Sequence, residues 1–193
     1  MGEYSMTLIL FGTLTASLIL GIPMGISLGI SALVGLFFTT IPLVFMAETF
    51  FSGAEIFPLI AIPGFILAGN IMLKTGVTEK IINVIHALAG HVPGGYAVVT
   101  IFSCMFFASL SGSGPATTAA IGSIMIPAMS KAGYPLRYAA GVASSGGTLG
   151  ILIPPSNPMI IYGVMANLSV AGLFMAGFLP GLILGGLLAL QCL

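Results

Sequence analysis

The sequence predicts an all-α polytopic membrane protein of about five or six spans, one of them a broken helix, with a re-entrant helical hairpin besides. Composition is the first ground. Of 193 residues, 58% are hydrophobic and 4% charged, with mean hydropathy +1.22, whereas soluble domains carry about 25% charged residues. Length is the second: a helical span needs about 20 apolar residues, so this chain holds several crossings and no separate soluble domain. The third is a pair of breaks inside otherwise apolar sequence, SLSGSGPATT at 109–118 and SSGGTLGILIPPSNP at 144–158. Backbone that leaves the helix inside a bilayer must find new hydrogen-bond partners, so such segments persist only where protein or a water-filled cavity surrounds them.

Glycine, proline and charge punctuate the apolar runs in order. Residues 6–22 form a short span stopped at Pro23, and 24–40 a second stopped at Pro42. Glu48 and Glu55 flank 49–54, which is too polar for the hydrocarbon and reads as a loop or interfacial segment. The run 56–73 contains Pro58, Pro63 and Asn70, and a kink is expected where Pro63 removes a donor. Thr78 is expected to open a short helix at 79–89 whose apolar residues Ile81, Ile82, Ile85, Leu88 and Ala89 share one face; too short to span and carrying Lys80 and His86, it is expected to lie in the interface. Residues 94–110 and 116–129 flank the first break, predicting a re-entrant hairpin over 93–130 whose tip at 111–115 reaches about the midplane. The broken helix covers 135–167 and a final span 168–193, which is apolar to Leu193 and reads as truncated.

Charge supports the crossing parity. Lys74, Lys80, Lys131 and Arg137 fall on one face, which the positive-inside rule makes cytoplasmic, and Glu3, Glu48 and Glu55 fall outside. Two full crossings in place of the hairpin would keep the same parity, so its depth rests on length and on the polar tip. Zero net charge leaves no basic surface for nucleic acid. Cys104 and Cys192 lie in apolar stretches without metal-ligand spacing and read as free thiols. The first five residues lack the basic region and cleavage site of a signal peptide.

The paired breaks carry the chemistry. Gly112 and Gly114 allow carbonyls to converge. In the second break Gly146, Gly147 and Gly150 loosen the helix, and Pro154, Pro155 and Pro158 deprive preceding carbonyls of amide donors. Secondary transporters build midplane ion sites from such oxygens. With no carboxylate in the predicted core for a proton relay, Na⁺ is the expected coupling ion. His86 and His91 read as interfacial. An intramembrane serine protease would need a histidine beside Ser113, and a channel would need repeated polar rings; neither pattern is present in the sequence.

At these residues the chain resembles the large membrane subunit of tripartite ATP-independent periplasmic (TRAP) transporters, the DctM/SiaM-like permeases. The matching stretches are AIPGFILAGN (61–70), VPGGY (92–96), FASLSGSGPATTAAIG (107–122), IPAM (126–129) with Gly133 and Tyr134, IPPS (153–156) with IYG (161–163), and LFMAGFLPG (173–181). The resemblance covers most of the chain from about residue 56 and corresponds to the first of two inverted repeats. It implies half of an elevator transporter in a bacterial inner membrane, with 1–91 mainly scaffold, including an arm helix at about 78–91, and 92–167 part of the transport domain. Implied partners are a small membrane subunit, a periplasmic substrate-binding protein, the missing C-terminal repeat of the same subunit and the lipid bilayer. It implies a Na⁺ site between Ser111, Gly112, Ser113 and Gly114 on one side and Ser145, Gly146, Gly147 and Thr148 on the other, with 154–157 holding the turn. Ser113, Thr117, Ser156 and Asn157 are the implied substrate-binding residues, for an organic acid such as a C4-dicarboxylate or sialic acid. A related alternative is a single-component divalent-anion/Na⁺ symporter, which would need neither small subunit nor binding protein.

Overall fold

The computed structural model describes residues 3–39 and 41–193. Residues 1, 2 and 40, on which the signal-peptide reading and the end of the second predicted run partly fall, lie outside the described residues. The described residues are helical and divide into a compact unit ending at Glu55 and another from Ile56 to Leu193.

In the first unit, α1 (Glu3–Ile19) and α2 (Met24–Phe37) are joined by a turn with Gly21 at φ 76° and Pro23 as the extended residue before α2. Small residues let the two backbones approach. Ser27, Ser31 and Gly35 are buried at four-residue spacing, and a Cβ on Gly35 would stand 2.6 Å from a Leu10 methyl. The Ser31 hydroxyl donates to the Leu10 carbonyl at 2.6 Å, and Thr13 donates to Ser31 at 3.2 Å. With no hydrophobic drive between helices in lipid, such close contacts and interhelical hydrogen bonds supply the association. Of the two alternatives expected at 49–54, a loop or an interfacial segment, the loop is corrected: these residues belong to a helix, α3 (Val44–Ala54). The polar side chains that suggested a loop bond back onto the helix, Thr49 to the Phe45 carbonyl at 2.8 Å and Ser52 to that of Thr49 at 3.2 Å.

The second unit opens with α4 (Phe57–Lys74), which remains helical through Pro63, and α5 (Val77–Ala89). Thr78 is not the residue that opens α5. Gly76, at φ 72°, both ends α4 and precedes α5, because a residue without Cβ takes the left-handed conformation freely; Thr78 is buried inside the first turn.

A helical hairpin follows, α6 (Gly95–Ser111) and α7 (Gly114–Lys131), then α8 (Leu136–Gly147), a 3₁₀ turn (Thr148–Ile151), α9 (Asn157–Met165) and α10 (Val170–Gln191). Helices thus flank both predicted breaks, α6 and α7 across 95–131 and α8, the 3₁₀ turn and α9 across 136–165. Most of α6 is buried, and α4, α5, α7, α8, the 3₁₀ turn and α10 all touch it. At the hairpin's base a row of rings joins α5 to α8: His86 to Tyr96 at 4.9 Å, Tyr96 to Tyr134 at 6.5 Å and Tyr134 to Tyr138 at 5.9 Å between centroids. The end of α10 reaches the same level, where a Cβ on Gly94 would collide with the Cys192 carbonyl.

Among the described residues α10, with 22 residues, is the helix long and apolar enough to cross a membrane unaided. It docks through Gly177, Gly181, Gly185 and Ala189, all buried and spaced by four. A Cβ would stand 2.5 Å from Met159 at Gly177, 2.8 Å from Ile153 at Gly181 and 2.5 Å from Met105 at Gly185, whereas Gly186 has nothing within 4 Å. Gly181→Leu is therefore expected to destabilise the subunit by about 1–3 kcal/mol through overpacking, and Gly186→Leu to leave it unchanged. Thermal unfolding of the two variants in detergent checks this, and equal melting temperatures would refute the seam.

Candidate functional site

The hairpin tip is built by a change of backbone direction at Gly112. This residue caps α6 at φ 62°, with its amide on the Ala108 carbonyl. Ser113 returns to extended backbone, φ −135° and ψ 120°, and starts α7, accepting the Ala116 amide on its hydroxyl at 3.4 Å; Pro115 follows where an amide would go unbonded. Behind it the Thr117 hydroxyl donates to the Ser113 carbonyl at 2.8 Å and lies 3.2 Å from the Ser111 hydroxyl, and Thr118 donates to the Gly114 carbonyl at 3.2 Å.

The break in the second segment repeats this design. Pro154 has no amide for the Gly150 carbonyl and Pro155 none for that of Ile151, and the latter is taken up by the Ser156 hydroxyl at 2.7 Å. Ser156 then starts α9 with nearly the backbone of Ser113, φ −126° and ψ 120°, accepting the Met159 amide at 3.4 Å, with Pro158 in the first turn.

Glycines press the two motifs together. The Asn157 amide donates to the Gly112 carbonyl at 3.0 Å, and a Cβ on Gly112 would lie 2.8 Å from the Pro155 carbonyl oxygen. One on Gly114 would lie 3.1 Å from the Gly147 carbonyl oxygen, one on Gly147 would collide with the Thr118 hydroxyl, and one on Gly150 would lie 2.7 Å from the Ser113 carbonyl oxygen. On the outer side Gly69 of α4 packs against the tip, its position for Cβ 3.3 Å from Cβ of Ser111. The oxygens at this contact are hydroxyls, backbone carbonyls and the Asn157 side-chain oxygen.

The residues expected to form the site separate into two groups. Ser111, Gly112, Ser113, Gly114 and Thr117 meet Gly147, Ser156 and Asn157 at the contact, and Gly146 is buried behind them against Cys104, whose Sγ would be 2.8 Å from a Cβ there. Ser145 and Thr148 are exposed, with the Thr148 hydroxyl turned to the Ser145 carbonyl at 2.6 Å. Thr117 and Ser156 are fully buried and their hydroxyls are engaged by the backbone. The Asn157 side-chain oxygen is buried and has no hydrogen-bond partner. Sequence reasoning omitted Thr118 as a site residue and took Gly150 only as a loosening residue. The sequence signal for both is the spacing that places Gly147 and Gly150 on one face of the break, where a partner backbone can approach. His86 packs at a tilt on Tyr96 at the base and His91 precedes α6, so both histidines lie toward the end of α6 far from Ser113.

The family model described as "Tripartite ATP-independent periplasmic transporter, DctM component" matches residues 11–193. Among similar proteins, the C4-dicarboxylate TRAP transporter large permease protein DctM of Rhodobacter capsulatus is 44% identical across 94% of this chain and 45% of its own length. The 2,3-diketo-L-gulonate TRAP transporter large permease protein YiaN of Escherichia coli (strain K12) is 41% identical across 95% of the chain and 43% of its own. The isethionate TRAP transporter permease protein DctMQ of Oleidesulfovibrio alaskensis is 44% identical across 92% of the chain and 28% of its own. The chain thus spans less than half the length of these relatives, which are permeases and not enzymes. With nearly its whole length matched by the family model, and with the hairpin and interrupted helix in place, the chain belongs to the DctM component family of tripartite ATP-independent periplasmic transporters.

Proposed function

We propose that this chain is the N-terminal part of the large membrane subunit of a Na⁺-coupled transporter in a bacterial inner membrane, importing an organic acid that a periplasmic binding protein delivers. The observation that carries this reading is the contact of two independently built helix interruptions at Gly114 and Gly147, where hydroxyl and carbonyl oxygens converge and no carboxylate takes part. The relatives' names supply the substrate class, since C4-dicarboxylate, 2,3-diketo-L-gulonate and isethionate are all small organic anions; a sugar acid such as sialic acid belongs to the same class. The name DctMQ supports a small membrane subunit as a partner, fused or separate. Within the site, Ser113 and Asn157 are the residues read as facing substrate, while Thr117 and Ser156, spent on the backbone, hold its shape.

Helix lengths support a hairpin that enters and leaves on one side. From the base, α8 runs 12 residues, about 18 Å, before its break meets the tip. Beyond the tip α9 continues for 9 residues, about 13 Å, and α10 returns over 22 residues, about 33 Å, to the base. The hairpin's own arms run 17 residues in α6 and 18 in α7, about 26 and 27 Å, shorter than the return through α10. An elevator motion needs hairpin and broken helix to travel together, and the bond from Asn157 to Gly112 ties them.

The test is uptake by the full-length subunit with its partners in proteoliposomes. Concentrative uptake is expected to require an inward Na⁺ gradient and to vanish when K⁺ replaces Na⁺; uptake indifferent to Na⁺ would end the coupling reading. A Ser113→Cys variant is expected to react with a water-soluble maleimide in one transport state. If it stays unlabelled in every state, the tip is not solvent-reachable.

A further inference from the structure

We propose that the groove between α8 and α10, opening at the hairpin's base, binds an anionic phospholipid, with the phosphate at Arg137 and an acyl chain running toward the break. The groove holds about 540 Å³ and is lined by Arg137, Tyr138, Gly141 and Ser145 of α8, by Leu188 and Gln191 of α10 with Cys192 just beyond, and by Ile101 of α6. Its volume is that of a small-molecule site. Arg137, Tyr138 and Gln191 supply polar groups to the lining, with the Tyr138 phenol paired with the Cys192 thiol. Gly141, one helical turn further in, leaves the wall open, since nothing lies within 4 Å of where its Cβ would be; Ile101, Val142 and Leu188 give the wall its apolar part, and Ser145 a polar point one turn beyond Gly141.

Two further observations select a lipid over other occupants. The mouth lies at the level of the ring row Tyr96, Tyr134 and Tyr138, and tyrosines gather where headgroups meet the hydrocarbon. Lys131 closes α7 at this same level. Charge is unbalanced there as well. The sequences of α6, α7, α8 and α10 contain no Asp or Glu, and the only acid of the second unit is Glu79, in the opening turn of α5. Arg137 therefore has no counter-ion from any helix that forms the groove. A phosphodiester with a net negative charge supplies one, and basic pockets between membrane helices on the cytoplasmic side are suited to such headgroups. A zwitterionic lipid brings its own cation beside the guanidinium and loses that advantage. The phosphate end of the proposal does not depend on the coupling ion or the transported acid, whereas Ser145, expected at the ion site, lines the groove beyond Gly141.

The experiment uses the full-length subunit with its partners, exchanged into detergent and offered dioleoylphosphatidylglycerol and dioleoylphosphatidylcholine in equal amounts, with retained lipid counted by native mass spectrometry. Phosphatidylglycerol is expected to be retained about fivefold over phosphatidylcholine, the preference that one surface cation confers. Arg137→Gln is expected to bring that ratio to about one. Gly141→Leu, which fills the open wall, is expected to lower retention of both lipids, and Lys80→Gln, on α5 outside the groove, to leave the preference in place. Melting temperatures of the lipid-free variants separate lost binding from lost folding. Equal retention of the two lipids by the wild type, or an unchanged ratio in Arg137→Gln, would overturn the proposal. So would a Gly141→Cys variant that a membrane-permeant maleimide cannot reach in nanodiscs, because protein would then cover the groove.

Discussion

Replacing Gly147 by alanine is expected to abolish Na⁺-driven uptake, and removing the Thr118 hydroxyl in the same chain is expected to restore part of it. The added methyl would land on the Thr118 hydroxyl and 3.3 Å from the Gly114 carbonyl oxygen. Neither neighbour can withdraw, because Thr118 is bonded to the Gly114 carbonyl and both belong to the first turn of α7. Overpacking of this kind costs about 1–3 kcal/mol when it is absorbed by distortion, and here the distortion falls on the oxygens proposed to hold the ion. Thr118→Ala removes the colliding oxygen but leaves its Cβ 2.9 Å away, so the double variant should recover only partly. Initial uptake rates against Na⁺ concentration for the two single variants and the double variant check this. Wild-type rates in Gly147→Ala would show that the two segments are not in close contact during transport.

Gly112→Ala is expected to free the hairpin tip from the broken helix. An L-residue in the left-handed conformation costs roughly 1–2 kcal/mol, and the new methyl would also stand 2.8 Å from the Pro155 carbonyl oxygen and 3.1 Å from the Asn157 side-chain oxygen. The bond from the Asn157 amide to the Gly112 carbonyl, 3.0 Å long, lies at the same point and is expected to be lost. Gly133 is the internal control: it is also left-handed, at φ 92°, but has nothing within 4 Å, so its alanine variant bears the backbone strain alone. In a Ser113→Cys background, maleimide labelling is expected to accelerate at least about tenfold with Gly112→Ala, the factor that 1.4 kcal/mol of opening free energy gives, and less with Gly133→Ala. Equal labelling in the two variants would remove the clamp from the description.

Punctuation by glycine and proline made most of the helical order legible. The breaks at 109–118 and 144–158 interrupt apolar sequence so sharply that hairpin and broken helix could be placed from residue types alone. Local polarity misled at 49–54, because Thr49 and Ser52 can satisfy their hydroxyls on preceding carbonyls without leaving the helix. It misled again at Thr78, where Gly76 took the turn. The candidate site was legible as a set of residues but not as a set of directions. Whether a hydroxyl is spent on a backbone carbonyl, as for Thr117, Thr148 and Ser156, and whether its residue ends up buried or, like Ser145 and Thr148, exposed, depends on a side-chain torsion and on the neighbour packed against it. Sequence periodicity reports neither. The glycine seam of α10 shows the same division: its four-residue spacing is written in the sequence, but its partners Ile153 and Met105 lie on other helices.

The doubled serine starts at Ser113 and Ser156 have an electrical consequence. Because Asn157 bonds to Gly112, the beginnings of α7 and α9 stand beside the ends of α6 and α8, so four helix termini meet at one place. Each beginning acts as roughly +0.5 and each end as roughly −0.5 of an elementary charge, and the four sum to about zero. A cation alone there gains from two termini and is opposed by two, and an anion alone fares the same. A cation set toward Ser111 and Gly147 and an anion set toward Gly114 and Asn157 would each lie nearest the termini that attract it, and any preference for joint occupancy would come from the attraction of the two ions for each other across this short distance.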